Sequence, residues 1–106
     1  MQEHFIHQVY FWLANPDNQE DHASLLKGLK NLTSIPNIVH FHIGEPAATR
    51  REVIDSSYSL SWLAIFKTAA DQDSYQEHTL HLEFVSSCGH LWNKVVVYDS
   101  IDGTNR

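Results

Sequence analysis

Tyr75, His78 and His81 fall within seven residues of one another, in the stretch SYQEHTLHLEF over 74–84. A neutral imidazole accepts a proton at physiological pH, and a phenol hydroxyl orients a base or hydrogen-bonds a substrate oxygen. His81 is therefore a candidate general base and Tyr75 its orienting partner, with His78 beside them. The spacing sets a condition. Six positions along an unbroken helix place two side chains about 240° apart in azimuth, too far to converge. A break near Thr79 is needed, and the Thr79 hydroxyl could cap the helix that follows. His7 shares an alternate strand face with Val9 and Phe11 and would look into the same space. The expectation is geometric: Tyr75, His81 and His7 converge over one cavity, with Val9, Phe11, Leu60 and Trp62 among its walls. Polar groups buried among Phe11, Trp62 and Phe66 are costly unless paired. The same residues would also serve as a mutually satisfied pair in a dry core, and the sequence carries both readings.

The chain has eight histidines. His78 and His81 are three apart, as are His4 and His7, and His40 and His42 alternate on one strand face. A zinc site needs three or four ligands in a fixed frame, and no carboxylate–histidine motif supplies one. No metal and no cofactor are expected. Arg50-Arg51 could hold an anion, although a solvated loop is the simpler reading. Cys88 is the sole cysteine; it cannot form an internal disulfide and suits a small core position in a reducing, cytoplasmic setting.

The elements that must position these groups follow from pattern. Residues 5–13 are aromatic and β-branched and end at Asn15-Pro16, a strand. Asp17 with Glu20 resembles a capping box, and Leu25, Leu26, Leu29 and Leu32 make one helical stripe that ends before Pro36. Gly28 inside that helix costs about 1 kcal/mol against alanine, which close packing would explain. Strands are expected over 38–43, 58–66 and 92–98. A short helix follows a Thr68 cap, and another runs over 80–88 with Gly89 at its end. The order β-α-β-β-α-α-β is a ferredoxin-like α+β arrangement, one four-stranded antiparallel sheet with helices on one face. It makes a single domain over 4–101, with a loose tail at 102–106.

At 106 residues with 42% apolar content the chain is one globular domain. A net charge of −6 argues against nucleic acid as a partner. The first four residues carry no basic leader, and no apolar run approaches the roughly 20 residues that span a membrane. Both faces of the expected sheet carry large apolar groups, yet helices cover only one. A homodimer packed sheet to sheet would bury the other.

Four segments, His7-Gln8-Val9-Tyr10-Phe11, Phe41-His42-Ile43-Gly44-Glu45-Pro46, Tyr58-Ser59-Leu60-Ser61 and Tyr75-Gln76-Glu77-His78-Thr79-Leu80-His81, occur in the order and spacing of a known family. Together they resemble the stress-responsive dimeric α/β-barrel family, Dabb, over about residues 4–101. The resemblance implies a dimer whose sheets close into a barrel, with a cavity between each sheet and its helices. One plant member closes a linear polyketide without a cofactor. Its base and partner tyrosine match His81 and Tyr75, and two further histidines match His7 and His78. Leu60 stands where that member has another pocket histidine, and Thr79 where the family has proline, so the same cyclisation does not carry over whole. Some plant members hold magnesium on main-chain carbonyls matching Leu32, Ile35 and Ile38. The resemblance implies a small-molecule binder of apolar or aromatic ligands, with cofactor-free acid–base chemistry. A non-catalytic stress-response dimer and a cofactor-free oxygenase stand beside it.

Overall fold

The computed structural model describes residues 4–105. The reading of the amino terminus as lacking a basic leader rests mainly on residues 1–3, and that of the tail partly on 106; these lie outside the described residues. The elements are β1 (Phe5–Leu13), α1 (Gln19–Leu32), β2 (His40–Gly44), β3 (Leu60–Phe66), α2 (Ala69–Glu77), α3 (Thr79–Cys88) and β4 (Trp92–Ile101). The sheet is antiparallel in the order β2-β3-β1-β4. This is the ferredoxin-like α+β arrangement expected from the sequence.

Strand alternation decides what faces the helices. In β1 the buried set is His7, Val9, Phe11 and Leu13; in β3 it is Leu60, Trp62, Ala64 and Phe66. Against them α1 brings Leu25, Leu29 and Leu32, all almost fully buried. Each such leucine stabilises the fold by roughly 1.5–3 kcal/mol relative to exposure. Gly28 lies on the same helix where α1 meets α3. A Cβ there would stand 2.6 Å from Cys88 Sγ and 3.1 Å from Phe84, so the close packing expected for this glycine is present.

Several boundaries differ from the sequence reading, each for a local reason. The α1 cap is Asn18, not Asp17: its Oδ1 accepts from the Asp21 N–H at 3.0 Å. Asp17 is held in a preceding turn closed by Asn18 N–H to Asn15 O at 3.0 Å. The β2 ladder starts at His40 rather than 38, because Ile38 turns inward to pack on the core. β3 starts at Leu60 rather than 58, because the Ser59 hydroxyl takes the Leu13 N–H at 3.1 Å in place of a ladder carbonyl. Gly89 follows α3 as expected, but in a right-handed conformation that leads into a 3-10 turn over Gly89–Leu91. β4 continues to Ile101, three residues past the expected end, and pairs Asp99 with His7. Beyond it Gly103–Asn105 form a short 3-10 turn, and Asp102 accepts from the His4 main-chain N–H at 3.2 Å.

The opposite face of the sheet carries Ile6, Tyr10, Trp12, Leu63, Ile65 and Tyr98, as the alternation requires. Among the described residues no helix crosses it, and Tyr98 is 62% exposed. Among the described residues no helix is long and apolar enough to cross a membrane.

Candidate functional site

The chain breaks at His78. This residue is extended (φ −65°, ψ 142°), ending α2 and opening α3. Its ring performs the capping that the sequence assigned to the Thr79 hydroxyl: His78 Nδ1 accepts from the Leu80 N–H at 3.1 Å. From the N-cap position the imidazole reaches the Leu80 N–H two residues on, whereas Thr79 already lies within α3. The single extended residue resets the azimuth, and Tyr75 and His81 meet with ring centroids 4.8 Å apart.

Tyr75 is the hub. It is buried beneath α2, and its hydroxyl accepts from the Trp62 indole N–H at 3.0 Å. Burial pushes the phenol far above its ordinary range, only partly opposed by that bond. Tyr75 stays protonated, with its own hydrogen left to donate. His7 approaches from β1, its ring edge-on to Tyr75 at 5.7 Å. Its Nδ1 lies 2.6 Å from Asp99 Oδ1, a close contact between a buried ring and a half-exposed carboxylate.

His81 meets Tyr75 from the first turn of α3. Its Nδ1 is the one buried side-chain polar atom without a hydrogen bond among the described residues. Burial holds its pKa below 6.5, repulsion from His7 adds to this, and the Gln76 main-chain carbonyl works weakly the other way. At neutral pH His81 is a neutral imidazole.

These groups border a cavity of about 140 Å³ between β1, β4 and the α2–α3 pair. Its walls include Val9, Phe11, Trp62, Phe84 and Trp92, and Val85, Val95 and Val97 rim its mouth. The structure thus brings together His7, Val9, Phe11, Trp62, Tyr75 and His81. Leu60 and His78 do not border this cavity. Leu60 is sealed in the core near the far end of β3, and His78 is engaged at the helix break. Sequence reasoning missed Asp99, because it ended β4 at Tyr98. The signal available was the antiparallel register: continuing the β1–β4 pairing sets a carboxylate directly opposite His7.

A larger depression of about 270 Å³ lies on the other sheet face, bordered by Tyr10, Trp12, Tyr58, Tyr98 and Asp55. It is shallower and holds no histidine, and the Lys94 ammonium stands 4.5 Å above the Trp12 ring. Size alone does not make it the chemical site; the smaller cavity holds the convergent polar groups. Arg50 and Arg51 are exposed on the loop after β2 and border neither space. Among the described residues no three histidine, cysteine or acidic side chains are grouped to hold a metal ion. His40 and His42 lie on the outer sheet face with Ile65 and Leu63. The carbonyls of Leu32 and Ile35 accept from the N–H groups of Ile35 and Ile38 at 3.1 and 3.3 Å.

A ferredoxin-like sheet with a histidine–tyrosine cavity beneath its helices defines a class of small α+β barrels rather than one activity. The profile of the Stress responsive A/B Barrel Domain, Dabb, matches residues 5–102, and the chain belongs to that family. A Dabb family protein with a ferredoxin-like fold from Mesorhizobium loti superposes with a TM-score of 0.77 at 23% identity, over 95% of this chain and 98% of that one. A hydroxynitrile lyase from Passiflora edulis gives 0.81 at 19% identity, over 97% and 96%. A dimeric ferredoxin-like protein of unknown function from Thermobifida fusca gives 0.76 at 14% identity, over 94% and 92%. At these identities the likeness concerns the fold. No curated protein matches the chain.

Proposed function

We propose that this Dabb domain binds a compact apolar or aromatic molecule in the cavity beside His7, Tyr75 and His81, and carries out cofactor-free acid–base chemistry on it. The observation that carries this reading is the convergence of His7, Tyr75 and a neutral His81 on one largely apolar cavity. Polar groups gathered against apolar walls are costly to bury unless paired, and a ligand with its own polar atoms would pair them. A neutral base facing an apolar space is suited to removing a proton from a bound carbon or oxygen acid. In the simplest case the neutral His81 ring takes a proton from a carbon next to a carbonyl. The C–H electron pair forms the carbon–carbon double bond of an enolate while the carbonyl π pair moves onto oxygen, which receives a hydrogen bond from the Tyr75 O–H, and return of the proton completes the exchange.

Cavity size narrows the ligand. At about 140 Å³ it falls below the roughly 300 Å³ common for drug-sized ligands. It is close to the ~150 Å³ apolar cavity that accepts benzene. A single ring with a short substituent matches this space better than an extended polyketide. Cleavage of a small cyanohydrin, the type of reaction named for the Passiflora protein of similar fold, also begins with removal of a proton by a base and belongs to the same class. The lone, buried thiol suits a reducing compartment such as the cytoplasm. The apolar outer sheet face and the dimeric Thermobifida protein of similar fold support a homodimer packed sheet to sheet.

The test combines binding and turnover. Phenylacetone and mandelonitrile should perturb the NMR signals of Tyr75 and His81. The protein should then accelerate α-hydrogen exchange of the first in D₂O, or release benzaldehyde from the second. His81→Ala should abolish turnover with the fold intact. Binding without turnover of either probe would favour a non-catalytic binder, and no binding at all would favour the purely structural dimer.

A further inference from the structure

We infer that Asp99 is a positioning residue for His7, fixing the ring so that Nε2 is a hydrogen-bond acceptor for the hydroxyl of a small aromatic alcohol in the cavity. The inference rests on the ligand-binding reading above and adds a substrate class to it. Its basis is the 2.6 Å contact between His7 Nδ1 and Asp99 Oδ1. An ionised carboxylate only accepts hydrogen bonds, so Nδ1 must carry the hydrogen. In the neutral ring Nε2 is then an acceptor. Nε2 makes no hydrogen bond to the described residues, and His7 borders the cavity.

The arrangement is held from both strands. His7 and Asp99 are directly opposed in the β1–β4 register, so their Cβ atoms project to the same face. The His7 ring is almost fully buried and leans edge-on against Tyr75, which limits its rotation. Asp99 is half exposed and remains solvated while it binds the ring. If a ligand hydroxyl passes its proton to Nε2, the resulting imidazolium already has its counter-ion in contact, and the proton released from oxygen is the one the ring gains. Tyr75 offers a hydrogen and His7 a lone pair. That complement fits a ligand with both an acceptor oxygen and a donor O–H near one ring, and gives no preference to a bare hydrocarbon.

The experiment uses the full chain, ¹⁵N-labelled, with histidine tautomers read from long-range ¹H–¹⁵N spectra well above the ordinary histidine pKa. His7 in the wild type should show the Nδ1–H form. Asp99→Ala, at a half-exposed position that tolerates truncation, should shift it towards Nε2–H. Benzyl alcohol should move the His7 Nε2 resonance and toluene should not. The preference for benzyl alcohol over the acceptor-only benzaldehyde should fall roughly fivefold in Asp99→Ala, the loss of about one hydrogen bond. An Nε2–H wild type, or a tautomer and preference unchanged by Asp99→Ala, would overturn the assignment while leaving the ligand-binding reading in place if the probes still bind. Failure of every probe to perturb the cavity would overturn both.

Discussion

His81 Nδ1 is buried without a hydrogen bond among the described residues, a stability cost that makes His81 informative. His81→Leu fills the same space without a polar atom and should stabilise the protein by about 1 kcal/mol or more in urea melts at neutral pH, while removing any proton-transfer activity. A residue retained for structure alone would give the opposite sign. The pH dependence follows from burial. The folded pKa of His81 is lowered, so as pH falls the unfolded chain takes up the proton first. This residue's share of stability is constant above the ordinary value of 6.5, declines below it, and levels off once the folded His81 itself titrates. The advantage of His81→Leu over wild type should therefore widen between about pH 7.5 and about pH 5.5. Tyr75→Phe tests the hub. It leaves the Trp62 indole N–H buried without its acceptor and should cost about 1–3 kcal/mol, read from the same melts.

At the scale of elements, the α2–α3 break determines whether a site exists. His78→Ala removes the cap on α3 and should cost roughly 0.5–2 kcal/mol, with Thr79→Ala within about 0.5 kcal/mol of wild type. Chemical denaturation of the two variants separates the caps; a loss in Thr79→Ala with none in His78→Ala would restore the Thr79 assignment. Loosening the break also changes the approach of Tyr75 to His81, so the ring contact between them should weaken in His78→Ala NMR spectra. The α1–α3 contact is the second element-scale constraint. Gly28→Ala pushes a methyl into Cys88 Sγ and the Phe84 ring and should destabilise by roughly 1–3 kcal/mol. Phe84 is also a cavity wall, so ligand affinity should drop with stability.

For the whole molecule, the uncovered sheet face is the feature to explain. Leu63 projects from its centre beside Gln8 of β1 and His42 of β2. If two copies pack through this face, Leu63→Glu should yield a folded monomer by light scattering at micromolar concentration, where the wild type is a dimer. A wild-type monomer would refute the sheet-to-sheet packing. A specific interface of ordinary size buries about 1,200–2,000 Å², so a single central charge is enough to prevent it.

The sequence by itself determined the order of elements, the alternation that turns His7, Val9, Phe11 and Trp62 under the helices, and the need for a break between Tyr75 and His81. These are properties of period and local chemistry, legible over a few residues. Tertiary structure decided which side chain makes the break, because His78 and Thr79 are both competent acceptors and only the backbone path selects one. It also decided that Leu60 lies away from the cavity and that Asp99 meets His7 across 92 positions of chain. Strand register fixes that contact, and register is set by pairing between distant segments, which local pattern does not encode.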